Sequence, residues 1–251
     1  MNPTDVARDD DPDWLTLSAV DGPMRVYRVR PNTPITPAAA VVVLQEAFGV
    51  NEHIQDVARR IASEGFLALA PDLFHRTGVR TVNYADRAVA LDLINAIGPA
   101  EIDSDIAAVL THLQRVEHIS VERTSILGFC FGGRAAFTAA GSSPGLASTT
   151  IFYGPGIAAG PHAVLDRAQS ISGPVLLLVG EEDPTIPAVD LTSIRLACEQ
   201  AGVDLRTKTF PGAGHAFHCD ARPAMYRSGP AQQAWSATVE LLTSVIVGSR
   251  S

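Results

Sequence analysis

Four residues of this 251-residue chain combine a reactive side chain with a neighbourhood suited to acyl transfer: Cys130, Asp183, His215 and Glu46. Cys130 sits in Gly128-Phe129-Cys130-Phe131-Gly132, a G-x-C-x-G run. A strand-like stretch, TSILGF, precedes it and an alanine-rich, helix-like stretch, GGRAAFTAA, follows. A turn this tight leaves no room for a β-carbon beside the cysteine, hence the glycines, and it exposes the sulfur at the tip. The following helix aims its N-terminus at the sulfur and favours a thiolate. The Phe131 N–H is then placed to donate to an oxyanion. The plainer reading is a buried cysteine in a glycine-rich turn.

Asp183 follows the apolar run PVLLLVG and precedes Pro184. An acid there can orient a histidine across the top of a sheet. Glu181 and Glu182 are neighbours able to compete; Asp183 is preferred because it sits just past the strand, in a loop stiffened by Pro184 and Pro187. His215 lies in PGAGHAF, a flexible loop that could carry a general base between nucleophile and acid. Taken singly, Asp183 and His215 are also ordinary surface residues. Together, nucleophile, acid and histidine follow one another at about 50 and about 30 residues, which is the chain order of α/β-hydrolases. Glu46 directly follows AVVVLQ, in the loop where that fold supplies a second oxyanion donor, for which the Ala47 N–H is the candidate. A carboxylate beside a thiolate repels it, so Glu46 has either a special role or none.

The elements that must position these residues read as follows. WLTLSAV and MRVYRVR flank Asp21-Gly22 as a hairpin. AVVVLQ is a strand covered on both faces. NEHIQDVARRIASEG is a helix capped by Asn51, with Ile54, Val57, Ala58 and Ile61 as its apolar stripe. FLALAPDLF is a strand, residues 86–97 and 101–117 are helices, and TTIFYG, PVLLLVG and DLRTKTF are further strands. The helices GGRAAFTAA, PAVDLTSIRLACEQAG and PAQQAWSATVELLTSVIV alternate with them. This order predicts an α/β fold, a single domain with a mainly parallel sheet and helices on both faces. Sites in such sheets form beyond the carboxyl ends of the strands, where all four candidates fall. Residues 1–13 are acidic and polar and are expected to be a flexible leader before a domain spanning 14–251.

Composition narrows the function. With 46% hydrophobic residues the chain can bury a sizeable core, and a net charge of −8 argues against nucleic-acid binding. No run is apolar and long enough for a membrane span, and the N-terminus lacks the apolar core of a signal peptide. A cytoplasmic location is therefore expected. Three cysteines at irregular spacing do not read as a disulfide framework.

The stretches QEAFGVN, APDLF, GFCFGG, EEDPTIP and GAGHAF, in that order, resemble the dienelactone hydrolase family, the carboxymethylenebutenolidases. The resemblance runs over roughly residues 14–248. It implies an α/β-hydrolase that cleaves ester or lactone bonds of small molecules through an acyl-enzyme on a Cys130–His215–Asp183 triad. It further implies an oxyanion hole from the Ala47 and Phe131 amides, and a Glu46 that contacts the resting thiol and helps form the thiolate when substrate displaces it. Family members carry an arginine four residues beyond the histidine, where this chain has Cys219. Arg222 lies nearby, and Arg80 and Arg87 are candidates for a second arginine after the PDLF strand. Phe48 and Tyr153 are expected to complete the substrate pocket. No cofactor, metal or macromolecular partner is expected; the chain is read as a monomer, with a homodimer left open.

Two enzyme readings share this machinery, a hydrolase and a thioesterase or acyltransferase. Two others are of a different class. One is a metal-binding module on His215, His218, Cys219 and Asp220 of HAFHCD. The other is a non-catalytic binding protein that kept the fold.

Overall fold

A computed structural model describes residues 13–32 and 37–248. Apart from residue 13, the expected leader lies outside the described residues. The first two strands, β1 (Trp14–Ala19) and β2 (Gly22–Val29), form an antiparallel hairpin closed at Ala19↔Gly22. The remaining strands are β3 (Ala40–Leu44), β4 (Leu67–Pro71), β5 (Thr124–Phe129), β6 (Ser148–Phe152), β7 (Val175–Gly180) and β8 (Leu205–Phe210). They build one sheet in the order β1-β2-β4-β3-β5-β6-β7-β8, parallel from β4 to β8. Every residue of β3, β4, β5, β6 and β7 is buried, which explains their unbroken apolar runs.

The helices are α1 (Glu52–Ser63), α2 (Arg87–Asn95), α3 (Pro99–Arg115), α4 (Phe131–Ser142), α5 (Ala188–Ala201) and α6 (Ser228–Gly248). Asn51 caps α1, its side chain accepting from the Ile54 N–H at 3.2 Å, and the expected stripe of Ile54, Val57, Ala58 and Ile61 is fully buried. Helix α3 starts two residues earlier than its apolar period suggests, because Pro99 suits a first helical position and the Glu101 carboxylate accepts from the Gly98 N–H at 3.0 Å. Short 3₁₀ turns at Val121–Arg123 and Leu165–Ser170 carry too little periodicity to be read from sequence.

The chain steps from β3 outward to β4, then returns past β3 to β5 and continues the other way. Right-handed crossovers put α1 on one face of the sheet and α3 and α4 on the other. The contacts agree: α3 packs on α4, and the Arg60 guanidinium of α1 stacks 4.0 Å over the Trp235 ring of α6. The reversal opens a crevice beyond the ends of β3 and β5, where Glu46 and Cys130 lie. No described helix is long and apolar enough to cross a membrane.

Candidate active site

β5 ends at Phe129 and α4 begins at Phe131, so the whole change of direction falls on Cys130. Its backbone takes φ 54° and ψ −117°, a region costly for a residue with a β-carbon. Hydrogen bonds hold it there: its N–H donates to the Phe152 carbonyl at 3.0 Å, and its carbonyl accepts from the Gly133 N–H at 2.8 Å. A β-carbon on Gly128 would lie 1.9 Å from the Gly132 carbonyl oxygen, and one on Gly132 would lie 2.4 Å from that of Leu44. The second distance means that the turn abuts the end of β3, which brings the Glu46 loop alongside the cysteine.

The Cys130 sulfur lies 3.1 Å from Nε2 of His215, and His215 Nδ1 lies 2.8 Å from Oδ2 of Asp183. Asp183 is buried while Glu181 and Glu182 are exposed. The turn after β7, closed by Asp183 N–H to the Gly180 carbonyl at 3.2 Å, points the third acid inward. Burial disfavours charge on Asp183, but the hydrogen bonds to His215 and Thr185 outweigh it and hold the carboxyl below its usual value. Burial likewise opposes an imidazolium on His215. The charge of Cys130 and the hydrogen bonds to Asp183 and Cys130 overcome it, and His215 is pushed up to about 10. The arrangement can hold a proton on His215, 3.1 Å from the Cys130 sulfur.

Thr185 is a member that sequence reasoning missed. Its hydroxyl donates to Asp183 Oδ1 at 2.6 Å and lies 3.0 Å from His215 Nδ1, and its N–H donates to the same Asp183 oxygen at 2.9 Å. An aspartate bonding the backbone two residues on is a recognised turn pattern, so Asp183-Pro184-Thr185 carried the signal.

Glu46 is buried, 1% exposed, and neither carboxylate oxygen has a hydrogen-bond partner. The expected bond from the Cys130 thiol to Glu46 is therefore absent, because the sulfur is engaged by His215. Ala47 is buried beside it, and the Phe131 N–H belongs to the first turn of α4, where a helix offers no acceptor of its own. Phe129 and Phe131, on either side of the nucleophile, are buried and keep water from its flanks.

The motif HAFHCD is divided. His215 joins Cys130 and Asp183, whereas His218 packs among Phe129, Phe152 and Trp235 at ring separations of 5.0–5.8 Å. Burial holds His218 well below the ordinary histidine value. The metal-binding module on these four residues is thus not assembled. Cys219 instead faces Glu46 and His53, and Asp220 bonds His53 Nδ1 at 3.2 Å. Nothing in the sequence marked His53, in the first turn of α1, for this, since its partner lies 167 residues on.

Among the expected pocket residues, Phe48 packs edge-on against Tyr84 at 4.7 Å, and the Arg222 guanidinium covers both rings, at 5.5 and 5.3 Å. Tyr153 is fully buried, its ring edge-on to His215 at 5.2 Å. Arg80 lines a groove with Trp14, Arg25 and Asp72 that no triad residue lines, and Arg87 is exposed at the start of α2. The structure thus gathers Phe48, Tyr153 and Arg222 near the candidate site but not Arg80.

Comparison with known proteins agrees with this geometry. The model of the Dienelactone hydrolase family matches residues 24–246. A protein of Methylorubrum extorquens, provisionally named carboxymethylenebutenolidase, is 36% identical over 220 residues, 86% of this chain and 75% of its own. An Escherichia coli K12 protein with the same provisional name is 35% identical over 86% of this chain and 81% of its own. A crystal structure from Klebsiella pneumoniae, provisionally named dienelactone hydrolase, superposes with TM-score 0.82 at 30% identity, covering 92% of this chain and 97% of that one. With the elbow, the strand order and this likeness over nearly the whole sequence in agreement, the chain belongs to the dienelactone hydrolase family.

Proposed function

We propose that this protein hydrolyses an ester or lactone bond of a small-molecule substrate by nucleophilic catalysis at Cys130. Family membership gives the reaction class, cleavage of a carboxylic ester or lactone. The steps are the proposal, and the observation that carries them is the chain of 3.1 and 2.8 Å contacts from Cys130 through His215 to Asp183.

The Cys130 sulfur, with its proton held on His215 Nε2, attacks the acyl carbon and forms the new carbon–sulfur bond. The carbonyl electrons move to oxygen, where the Ala47 and Phe131 amides receive the negative charge. Collapse breaks the bond to the alkoxide, which takes the proton from His215 and leaves a thioester on Cys130. Neutral His215 then removes a proton from water, whose oxygen attacks the thioester. Release of the acid returns the sulfur anion and protonated His215. Asp183, steadied by Thr185, fixes which nitrogen faces the sulfur. Phe48, Tyr84 and Arg222 form a wall suited to an acyl group bearing an aromatic or anionic end. Glu46 has no step in this scheme.

A panel of p-nitrophenyl esters and lactones, with and without a carboxylate, tests the proposal on native and Cys130→Ala protein. Rapid hydrolysis by the native enzyme, lost in the variant, is expected. Equal rates for the two proteins would overturn it.

A further inference from the structure

The two amides of the proposed oxyanion hole belong to separate pieces of the chain. Phe131 opens α4, whereas Ala47 lies in the loop after β3. Ala47 and Phe48 stand apart from the main core, in a small apolar cluster with Ala90 of α2, edged by Val82, Tyr84 and Ile94. Ala90 is the one buried residue of α2, so the helix that backs the Ala47 loop is itself lightly packed. Arg134, one turn into α4, reaches across to that helix. It is 8% exposed, and its Nη2 donates to the Ile94 carbonyl at 3.3 Å and the Ile97 carbonyl at 3.4 Å. These carbonyls lie at the C-terminal end of α2, where the helix dipole favours a cation. The same guanidinium lies 5.4 Å from the centre of the Phe131 ring.

We propose that Arg134 is a positioning residue for the oxyanion hole: it fastens α2, and through Ala90 the Ala47 loop, to the first turn of α4, so that the Ala47 and Phe131 amides converge on one oxygen. The inference rests on the hydrolytic reading of Cys130 and those two amides. No carboxylate among the described residues pairs with Arg134. A buried guanidinium without an acid is costly, and an apolar residue would join two helices at less cost. The positive charge therefore has a use of its own. Burial presses Arg134 below its ordinary value, and the charge of Cys130 presses it back. Its field favours the anion of the tetrahedral intermediate over the neutral ester. The bound ester carries no such anion, so the effect falls on kcat rather than KM.

Two reagents separate the oxyanion hole from the sulfur. With an aryl trifluoromethyl ketone, the Cys130 sulfur adds to the carbonyl carbon, the carbonyl electron pair moves to oxygen, and the proton stays on His215. The adduct thus needs the hole. With iodoacetamide the sulfur displaces iodide from a methylene carbon and forms no oxyanion. Full-length native protein is compared with Arg134→Gln, Arg134→Lys, Ala90→Gly and Cys130→Ala, melting curves confirming that each is folded. In Arg134→Gln, ketone affinity and kcat for an ester fall by about 10–100-fold, somewhat less than the loss of an oxyanion donor. KM and the alkylation rate stay within about twofold of native. Arg134→Lys, which keeps a cationic donor, recovers most of the loss. Ala90→Gly loosens the same support without touching α4 and lowers ketone affinity by about 3–10-fold, which tests the link even where Arg134→Gln fails to fold. The proposal is overturned if folded Arg134→Gln or Ala90→Gly binds the ketone as native protein does. It is also overturned if alkylation falls in step with ketone affinity, or if Arg134→Lys does no better than Arg134→Gln. A ketone that native protein does not bind, or binds equally in Cys130→Ala, overturns the hydrolytic reading and this inference with it.

Discussion

The Nε2 of His215 lies 3.1 Å from the sulfur of Cys130, and the positive φ of 54° at Cys130 is what presents the sulfur to it. The pair has a direct consequence. In Cys130→Ala the turnover of an activated ester falls by about 10⁴–10⁶-fold, the scale of losing a nucleophile or its base. Mass spectrometry of native protein mixed with a slow ester shows one acyl adduct on the peptide carrying Cys130. Because the charge of Cys130 helps to hold the His215 proton up to about 10, the NMR titration midpoint of this histidine drops in Cys130→Ala. A midpoint unmoved by the substitution would contradict the pairing.

Asp183 acts on His215 and Thr185 acts on both. Asp183→Asn leaves the melting temperature nearly unchanged but lets His215 adopt the opposite tautomer, and kcat falls by about 10³–10⁴-fold. Thr185→Ala removes one hydrogen bond to the carboxylate and one near Nδ1, and kcat falls by roughly tenfold with KM steady. If Glu182→Gln were more damaging than Asp183→Asn, the acid would be misassigned.

Asp72 makes stability depend on pH. Burial raises its carboxyl from 3.8 to about 6, against the hydrogen bond from the Phe74 N–H and the charges of His75, Arg25 and Arg80. Between those two values the folded protein binds more protons than the unfolded chain. The contribution is favourable below about 3.8, declines as pH rises through about 6, and stays lower above it. Asp72→Asn keeps an oxygen for the Phe74 N–H and removes the slope. It stabilises the protein by about 1–3 kcal/mol near neutral pH and by almost nothing near pH 3.8. Urea melts at the two pH values measure this, and a gain of equal size at both would refute the assignment.

Arg222 over Phe48 and Tyr84 is placed to meet an anionic acyl group. In Arg222→Met the KM for carboxylate-bearing esters rises by about 10–100-fold, the loss of a hydrogen bond between charged groups. The KM for neutral esters stays the same. Parallel rises for both substrate classes would make Arg222 a packing residue for the wall rather than an anion contact.

Sequence alone determined the local patterns: the buried parallel strands from their unbroken apolar runs, the helices from their period and caps, and the elbow from glycines that a tight turn demands. The order of Cys130, Asp183 and His215 could be read because each follows a strand that ends on the same edge of the sheet. Contacts across the fold were decided by tertiary structure, because they join segments with no shared periodicity. The turn after β7 buries Asp183 and exposes Glu181 and Glu182, a choice among three adjacent acids that no pattern could make. The packing of α1 against the loop after β8 places His53 beside Asp220 and Cys219. The same packing divides HAFHCD, because His215, His218, Cys219 and Asp220 face different neighbours once the loop is pinned to the sheet. Glu46 shows the limit most plainly. Its place after β3 is a matter of sequence, but its separation from the Cys130 hydrogen bond arises because His215, arriving from another loop, takes the sulfur first.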